Sequence, residues 1–336
     1  MTADEMRLGA RRGLEALAWM AGALLAAANL PDADAQAFPD RPVKLVAGHP
    51  VGTGVDNAAR VFARAFSEQL GQPVVVENRL GAGGTIAVEA VAQAAPDGYT
   101  LLAGAPPNVI LPAAVDRGAR FDPVTDFAPI GRIAQAPFAV AVGAHVPART
   151  LAELVELARN RPGQLTYMSP GRGSLTELNI GMLASATGTT FMPIEYKSIA
   201  TGVVDLVAGR IDIAINDLDT FAPHAAAGSV RVLGILGTRR AARAPDVPTV
   251  AEQGFPTVTI PLWFGVLAPA RTPPDALARL RAAYEAAMRS PEVRERLAGF
   301  GYEPLADAPG QFAAAIVDDL RNARAQARSS APPAGR

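Results

Sequence analysis

The alternation of apolar and polar positions is clearest over residues 43–70. Residues 43–48 are almost continuously apolar and predict a buried strand, and the glycine- and proline-rich residues 49–55 predict a turn. Apolar side chains then recur at three- and four-residue spacing through Phe62 and Phe66, which indicates an amphipathic helix. Backbone N–H groups at the start of such a helix have no partner within it and attract anions.

The same order of strand, glycine turn and helix recurs later in the chain. Residues 165–169 predict a strand and residues 170–173, with the sequence PGRG, predict the turn. Ser174 and Glu177 fit a capping box at the start of the following helix. Two turns of this kind predict two α/β lobes that face each other with an anionic ligand between them.

The remaining pattern alternates strands with helices and predicts an α/β fold. Residues 73–78 and 99–104 are apolar strands that follow the first unit, which favours parallel pairing and places the glycine turn at residues 79–85 beside the first turn. Residues 263–268 predict a strand with no partner among its sequence neighbours. The first lobe is therefore expected to be discontinuous, with a hinge where the chain crosses between lobes.

The predicted organisation has four parts, of which the first lobe consists of two segments. They are a signal peptide at 1–37, a first lobe at 38–137 plus 262–327, a second lobe at 138–261 and a flexible tail at 328–336. The signal prediction rests on a basic start, a short apolar run and the cleavage pattern Ala35-Gln36-Ala37. Export to the periplasm, with cleavage near Ala37, is expected.

Charge and composition exclude several classes of function. The chain has 31 Lys plus Arg against 32 Asp plus Glu, so no nucleic-acid surface is indicated. It has no cysteine, and its three histidines are far apart, so no metal site is predicted. Lys44 and Lys197 are the only lysines, which draws attention to Lys197.

From residue 38 to about residue 327 the chain resembles the substrate-binding proteins of tripartite tricarboxylate transporters, the Bug family. The segments that carry the resemblance are FPDRPVKLV, PVGTGVD, LGQPVVVENRLGAGG, AAPDGYTLL, FDPVTDFAPI, RPGQLTYMSPGRGS, DLVAGRIDIAIND, APDVPTVAEQGFP and WFGVLAPARTP. Each is weak alone, but their order over nearly the whole chain is highly specific.

The resemblance implies a type II periplasmic binding protein-like fold, with two Rossmann-like lobes of mainly parallel sheet that close on a carboxylate. It implies no enzymatic reaction and no cofactor, and its implied partners are the permease subunits of a tripartite transporter. A monomer is expected. The implied ligand-binding residues are Val51, Gly52, Thr53, Gly54, Asp56, Gly83, Gly84, Thr85, Ser169, Gly171, Arg172, Gly173, Ser174 and Asp217. Lys197 is a further candidate, because lysine is so rare in this chain.

Some of these residues also have structural interpretations. Asp56 is expected first of all to cap the first helix, because a carboxylate beside an anion site repels the ligand. Arg172 either grips a distal carboxylate in bidentate fashion or is a solvated surface arginine. Lys197 is either a similar contact or a partner of Glu195. Asp217 either holds a ligand amine or caps the next turn.

Two other functions remain open from the residues alone. A hydrolase is disfavoured because the chain has no Gly-x-Ser-x-Gly elbow and no P-loop lysine. A sensory protein that presents its ligand to a membrane histidine kinase would bind ligand in the same way as a transport receptor. Trp263 is expected to pack in the core or at the hinge rather than to stack on a ligand.

Overall fold

A computed structural model describes residues 38–115, 118–171, 174–237, 239–255, 260–308 and 310–329. The predicted signal peptide at 1–37 and most of the tail at 328–336 lie outside the described residues. Within these ranges, the residues from Arg41 onward form one compact unit. Within the described ranges, no helix is both long and apolar enough to cross a membrane.

The elements follow the predicted alternation of strands and helices. The strands are β1 Val43–Ala47, β2 Val74–Asn78, β3 Thr100–Gly104, β4 Phe127–Ala136, β5 Phe138–Gly143, β6 Thr166–Ser169, β7 Met192–Glu195, β8 Ile213–Asp217, β9 Val230–Leu236, β10 Leu262–Pro269 and β11 Glu303–Pro304. The helices are α1 Gly54–Leu70, α2 Thr85–Ala92, α3 Pro106–Val109, α4 Leu111–Ala114, α5 Leu151–Asn160, α6 Leu175–Thr187, α7 Ile199–Val207, α8 Leu218–Ala226, α9 Pro274–Met288, α10 Pro291–Gly299 and α11 Gln311–Ser329.

The described strands form two sheets, which we call the first and second sheets. The first has the order β11-β4-β10-β3-β1-β2, and the second has the order β7-β6-β8-β5-β9. The chain passes from the first sheet to the second through Pro137 and returns between Leu236 and Leu262. The strand at Leu262–Pro269 pairs with β3 and β4, so its partners are indeed distant in sequence.

The α/β class and the two-sheet arrangement are confirmed, but the pairing is more mixed than the predicted mainly parallel sheets. β1 is parallel to β2 and β3, and β6 is parallel to β7 and β8. The strands next to the two crossings, β4, β5, β9 and β10, pair antiparallel. They need no helical crossover of the kind that parallel neighbours require.

The helix ends follow known capping patterns. α1 ends at Gly71, which adopts a left-handed conformation. Ser290 and Pro291 occupy the N-cap and first helical positions of α10. The N-cap of α9 is Pro273, and the preceding Thr272 hydroxyl donates to the Pro269 carbonyl.

The last helix joins elements from both sheets. α11 packs against α4 and β4 on the first-sheet side and against α6, which follows β6 of the second sheet. Gly181 in α6 permits this approach, because a Cβ there would lie 2.4 Å from Nε2 of Gln326. Trp263 is fully buried beneath α11, where its ring contacts Phe312 edge to face, so its predicted core role is confirmed.

A buried carboxyl accompanies that tryptophan. The Trp263 Nε1–H donates to Oδ2 of Asp319 at 2.8 Å, and Asp319 is only 6% exposed. Burial raises the pKa of Asp319 to about 7, although the Trp263 hydrogen bond and the charge of Arg132 oppose the shift. The folded protein therefore binds this proton more tightly than the unfolded chain does, so it gains stability from it at low pH.

We expect the free energy of unfolding to fall as pH rises from about 4 to about 7 because of this group. Asp319→Asn keeps an acceptor for Trp263 but cannot ionise, so it should stabilise the protein at pH 8 and flatten the dependence on pH. Denaturant unfolding of both proteins at pH 5 and pH 8 measures this. An unchanged pH dependence in the variant would contradict the assignment.

The outer edge of the second sheet carries a proline. β7 pairs with β6 alone, and its N–H groups at Met192 and, just beyond the strand, Tyr196 donate to carbonyls of the β6 segment. Backbone hydrogen-bonding groups point alternately to the two sides of a strand, so those of Pro193 and Glu195 point away from β6. Pro193 has no N–H, so this edge lacks one of its donors.

Candidate functional site

The first two glycine turns meet at the carboxyl-terminal edge of the first sheet. Gly48, directly after β1, packs against the backbone of Gly84 so closely that a Cβ at Gly48 would lie 2.7 Å from both the Cα and the carbonyl oxygen of Gly84. Gly83 and Gly84 have positive φ angles of 66° and 93°. Glycine is required at this contact because no side chain fits, and the sequence placed both turns at this edge correctly.

Asp56 organises the first turn from inside. Its Oδ2 accepts from the Gly52 N–H at 2.9 Å, and its carboxylate also accepts from Nε of Arg60 and Nδ2 of Asn78. Burial disfavours the charged form of Asp56, but these donors outweigh burial and hold its pKa below the ordinary value. Asp56 is 1% exposed and is therefore a support for the turn.

The prediction that Asp56 caps the first helix is wrong. Thr53 is the N-cap of α1, and Asp56 lies in the first helical turn, where its carboxylate reaches back to Gly52. The Thr53 hydroxyl donates to the Pro50 carbonyl at 2.7 Å and so closes the turn on itself. In a capping box the carboxylate three residues after the cap accepts from the N–H of the cap residue, whereas Asp56 accepts from Gly52, one residue earlier.

The start of α1 leaves backbone donors without an acceptor. The N–H of Gly52 is bound to Asp56 and that of Thr53 to the Pro50 carbonyl, so neither is available. Among the described residues, the N–H groups of Gly54, Val55 and Asp56 have no recorded acceptor outside the helix. The anion-binding capacity predicted for this turn therefore resides in the first helical residues rather than in the loop.

The neighbouring turn of residues 81–85 packs against Asn108, which the sequence did not single out. The Thr85 N–H bonds to the Ala82 carbonyl, and Gly84 is buried against Asn108. Asn108 is fully buried, and although its Oδ1 accepts from the Ala105 N–H, its Nδ2 has no acceptor among the described residues. Nδ1 of His49 is likewise buried without a partner in the described chain, and burial lowers the pKa of His49.

The second-sheet turn is braced by Glu177. The Ser174 hydroxyl accepts from the Glu177 N–H, so the predicted cap is present. The Glu177 carboxylate does not return to the cap backbone but accepts from the hydroxyls of Tyr167 and Ser169. Gly171 donates its N–H to the Ser169 hydroxyl. The capping box is thus half formed, because the two hydroxyls compete successfully for the carboxylate.

Two predicted contacts in this turn, Arg172 and Gly173, lie outside the described residues. Their predicted role in gripping a carboxylate stays a prediction. Ser169 is fully buried and Ser174 donates its N–H to the Gly171 carbonyl. The described part of the turn therefore satisfies much of its own hydrogen bonding.

Asp217 ends β8, and its charge acts on Tyr302. Burial is the main cause that raises the pKa of Tyr302, and the charges of Asp217 and Asp219 add to it. The Tyr302 hydroxyl hydrogen-bonds with Asn57 of α1, which opposes the shift. Tyr302 therefore contacts α1 and is subject to the charge at the end of β8.

The close packing of Tyr302 also explains Gly54. A Cβ at Gly54 would lie 2.8 Å from Cζ of Phe264 and 3.3 Å from the Tyr302 hydroxyl, and the two rings meet edge to face at 5.0 Å. Neither aromatic residue was predicted to belong to the site. A lone aromatic in a strand or after a helix carries no positional signal in the sequence, so only the fold identifies them.

Two predicted residues are surface residues. Val51 is 71% exposed, and Lys197 is exposed with no ion pair among the described residues, so the suggested pair with Glu195 is not formed. No group of His, Cys, Asp or Glu in the described chain has a metal-binding arrangement.

A cavity of about 270 Å³ is lined in part by Tyr302. Its wall includes the four arginines Arg239, Arg240, Arg243 and Arg294. Three of them already pair with carboxylates, those of Glu303, Glu252 and Asp219. The cavity is therefore a weaker anion site than its arginine content indicates.

Comparisons with known proteins agree with this geometry. The family model described as "Tripartite tricarboxylate transporter family receptor" matches residues 58–328. A Cupriavidus necator protein described as "UPF0065 protein in gbd 5'region" is 38% identical over 329 residues, covering 94% of this chain and 98% of its own.

Solved structures give the same result. Rpa4515 of R. palustris, solved with adipate, has 32% identity and a TM-score of 0.70, and the match covers 87% of this chain and 98% of that one. MatC of Rhodopseudomonas palustris, solved with bound malate, has 28% identity and a TM-score of 0.68, with 86% and 100% covered. The chain therefore belongs to the tripartite tricarboxylate transporter receptor family and is a periplasmic-type solute-binding protein, not an enzyme.

Proposed function

We propose that this protein captures a small organic carboxylate between its two sheets and delivers it to the membrane subunits of a tripartite transporter. Residues 1–37 serve as the export signal, with cleavage after Ala37, and the mature protein acts in the periplasm as a monomer. The two sheets form lobes, 38–137 plus 262–327 and 138–261, that close on the ligand about the two crossings.

The observation that carries the proposal is the start of α1. Its first N–H groups, at Gly54, Val55 and Asp56, have no acceptor among the described residues, while the helix dipole adds positive potential there. The Tyr302 hydroxyl lies beside this helix start and is subject to the charge of Asp217 at the end of β8. The adipate and malate bound by two structural relatives are carboxylates of the size that such a site accepts.

A thermal-shift screen of residues 38–336 tests the proposal. The panel comprises mono-, di- and tricarboxylates and acidic amino acids, and the control for each hit is the corresponding amide, which has the same shape without the charge. A ligand at about one hundred times its Kd should add about 2.7 kcal/mol to the free energy of unfolding. No shift with any carboxylate, or equal shifts with the amides, would reject the proposal.

A further inference from the structure

A polar contact joins the end of α10 to elements of the second sheet. α10 packs against α1 and β11 and so belongs to the first-sheet side, whereas α8 packs against β5, β8 and β9 and belongs to the second-sheet side. Arg243, in the segment after β9, donates from Nη1 to Oδ2 of Asp219 in α8 at 2.8 Å and from Nη2 to the Ala298 carbonyl in α10 at 2.6 Å. One guanidinium therefore bonds to both sides, and we call this arrangement the Arg243 bridge.

Asp219 holds the guanidinium in place for its second partner. Asp219 lies in the first turn of α8, on the same side of the molecule as Arg243. The planar fork of an arginine lets one nitrogen bind a carboxylate while another reaches a different acceptor. That acceptor, the Ala298 carbonyl, lies in the last turn of α10, where the helix dipole favours a positive charge. The bridge is therefore oriented from the second-sheet side.

Two more contacts lie beside the Arg243 bridge. The Ala242 N–H donates to Oε1 of Glu303 at 3.1 Å. Gly301, with a φ of 78°, approaches Asp219 so closely that a Cβ there would overlap the Asp219 Oδ2. The second-sheet side therefore meets residues 298–303 through the bridge, one backbone hydrogen bond and one close backbone approach.

Residues 298–303 also reach the candidate site. They include Tyr302, whose hydroxyl hydrogen-bonds with Asn57 and lies beside Gly54 at the start of α1. The Tyr302 ring packs edge to face on Phe264 of β10. The Arg243 bridge thus holds the second-sheet side against the segment that borders the start of α1.

The bridge differs in kind from the contact of α11 with α6, which also joins the two sides. Those helices contribute buried side chains to one apolar cluster, Leu183 and Leu320 among them. Arg243 and Asp219 are instead 52% and 39% exposed, and Arg243 lines the cavity of about 270 Å³. Water can replace the hydrogen bonds of an exposed pair at little cost, whereas separating packed apolar side chains exposes them to water. Of these two contacts, the bridge is the one that can open while the protein stays folded.

We infer that the Arg243 bridge is a latch that holds the second-sheet side against residues 298–303, and that its opening lets the two sides separate beside the start of α1. The packed contact of α11 with α6 stays in place during this movement. The inference rests on the proposed function only for the purpose of the movement, which is to admit and release the ligand. The latch itself is a property of the chain, so it is tested on the protein with no ligand added.

Distances between two spin labels, measured by double electron–electron resonance, test the inference. The chain has no cysteine, so two introduced cysteines carry the only labels. Ala282 lies in α9, which packs against β4 and α1, and Val204 lies in α7, which packs against β5 and β8. Both residues are exposed and neither belongs to the bridge. The parent for every comparison is the protein with Ala282→Cys and Val204→Cys.

Arg243→Gln should release the latch. Glutamine is uncharged, and its shorter side chain does not span Asp219 and the Ala298 carbonyl together. Loss of two partly exposed hydrogen bonds to a charged group should raise the ratio of separated to contacting molecules about tenfold, which appears as a second distance between the labels. Urea unfolding should stay close to that of the parent, because exposed ion pairs contribute little to stability.

Arg240→Gln is the matched control. Arg240 lies in the same segment and lines the same cavity, but its guanidinium bonds to Glu252 and to the Pro245 carbonyl, both between β9 and β10. This variant therefore removes the same charge without breaking a contact with α10. Its distribution of distances should match that of the parent.

The outcomes are separable from those of the carboxylate screen. A second distance in Arg243→Gln alone supports the latch. Identical distances in Arg243→Gln and the parent, or equal changes in Arg240→Gln, overturn it. A changed distribution accompanied by unfolding at a clearly lower urea concentration also overturns it, because the bridge would then serve stability alone. Failure of every carboxylate to bind rejects the proposed function and leaves the distances unaffected.

Discussion

Gly48→Ala is expected to lower the free energy of unfolding by about 3 kcal/mol. The added Cβ would lie 2.7 Å from the Cα and the carbonyl oxygen of Gly84 and 3.1 Å from Nδ2 of Asn108. The first two of these are backbone atoms, so no side-chain rotation relieves the clash, and the two glycine turns must separate. Ligand affinity should fall as well, because both turns border the candidate site.

Gly299→Ala is the matched control for this substitution. Gly299 ends α10, is exposed, and a Cβ there meets nothing within 4 Å. Alanine favours a helix over glycine, so the variant should be as stable as the parent or slightly more stable. Urea unfolding of the three proteins gives the comparison, and a Gly48→Ala protein that unfolds at the parental urea concentration would show that the turns do not constrain each other.

Asp307→Ala should cost about 3–5 kcal/mol, because it leaves a largely buried guanidinium without its partner. Asp307 accepts from the backbone N–H of Arg132 and from both Nε and Nη2 of its side chain, the shortest contact being 2.7 Å. The two side chains are only 18% and 5% exposed for Arg132 and Asp307, so solvent screens the pair little. The Tyr284 hydroxyl completes the network through the Arg132 carbonyl and the Asp307 N–H.

Asp318→Ala provides the comparison on the surface. Asp318 pairs with Arg321 at 2.7 Å, but the side chains are 56% and 68% exposed. Exposed pairs contribute about 0–1 kcal/mol, so the loss should be small. Denaturant titration at pH 7 measures both variants, and similar losses for Asp307→Ala and Asp318→Ala would mean that the Arg132 pair is far better solvated than its burial indicates.

The fold was predictable because its local signals agree with one another. Apolar strands, glycine turns and periodic helices place β1, α1, β6 and α6 correctly. Strand direction was less predictable. Pairing of β5 with β8 and β9 depends on how the chain crosses between sheets, which hydrophobic periodicity does not record.

The backbone of the candidate site could be predicted from the sequence, but most of its side-chain contacts could not. Glycine turns identify where a helix begins, but Asp56 and Glu177 look like caps in the sequence and instead brace the turns. Tyr302 enters the site only because α10 and β11 bring it to Gly54. Contacts between residues 54 and 302 belong to the tertiary fold, so no local pattern could reveal them.

The proline in β7 has a consequence for the behaviour of the protein at high concentration. An open strand edge is a template on which another chain can extend the sheet, and such extension leads to aggregation. With Pro193 at an outward position and Glu195 beside it, an incoming strand finds a missing donor and a charged side chain. The outer edge of the second sheet is thus protected against strand-to-strand self-association.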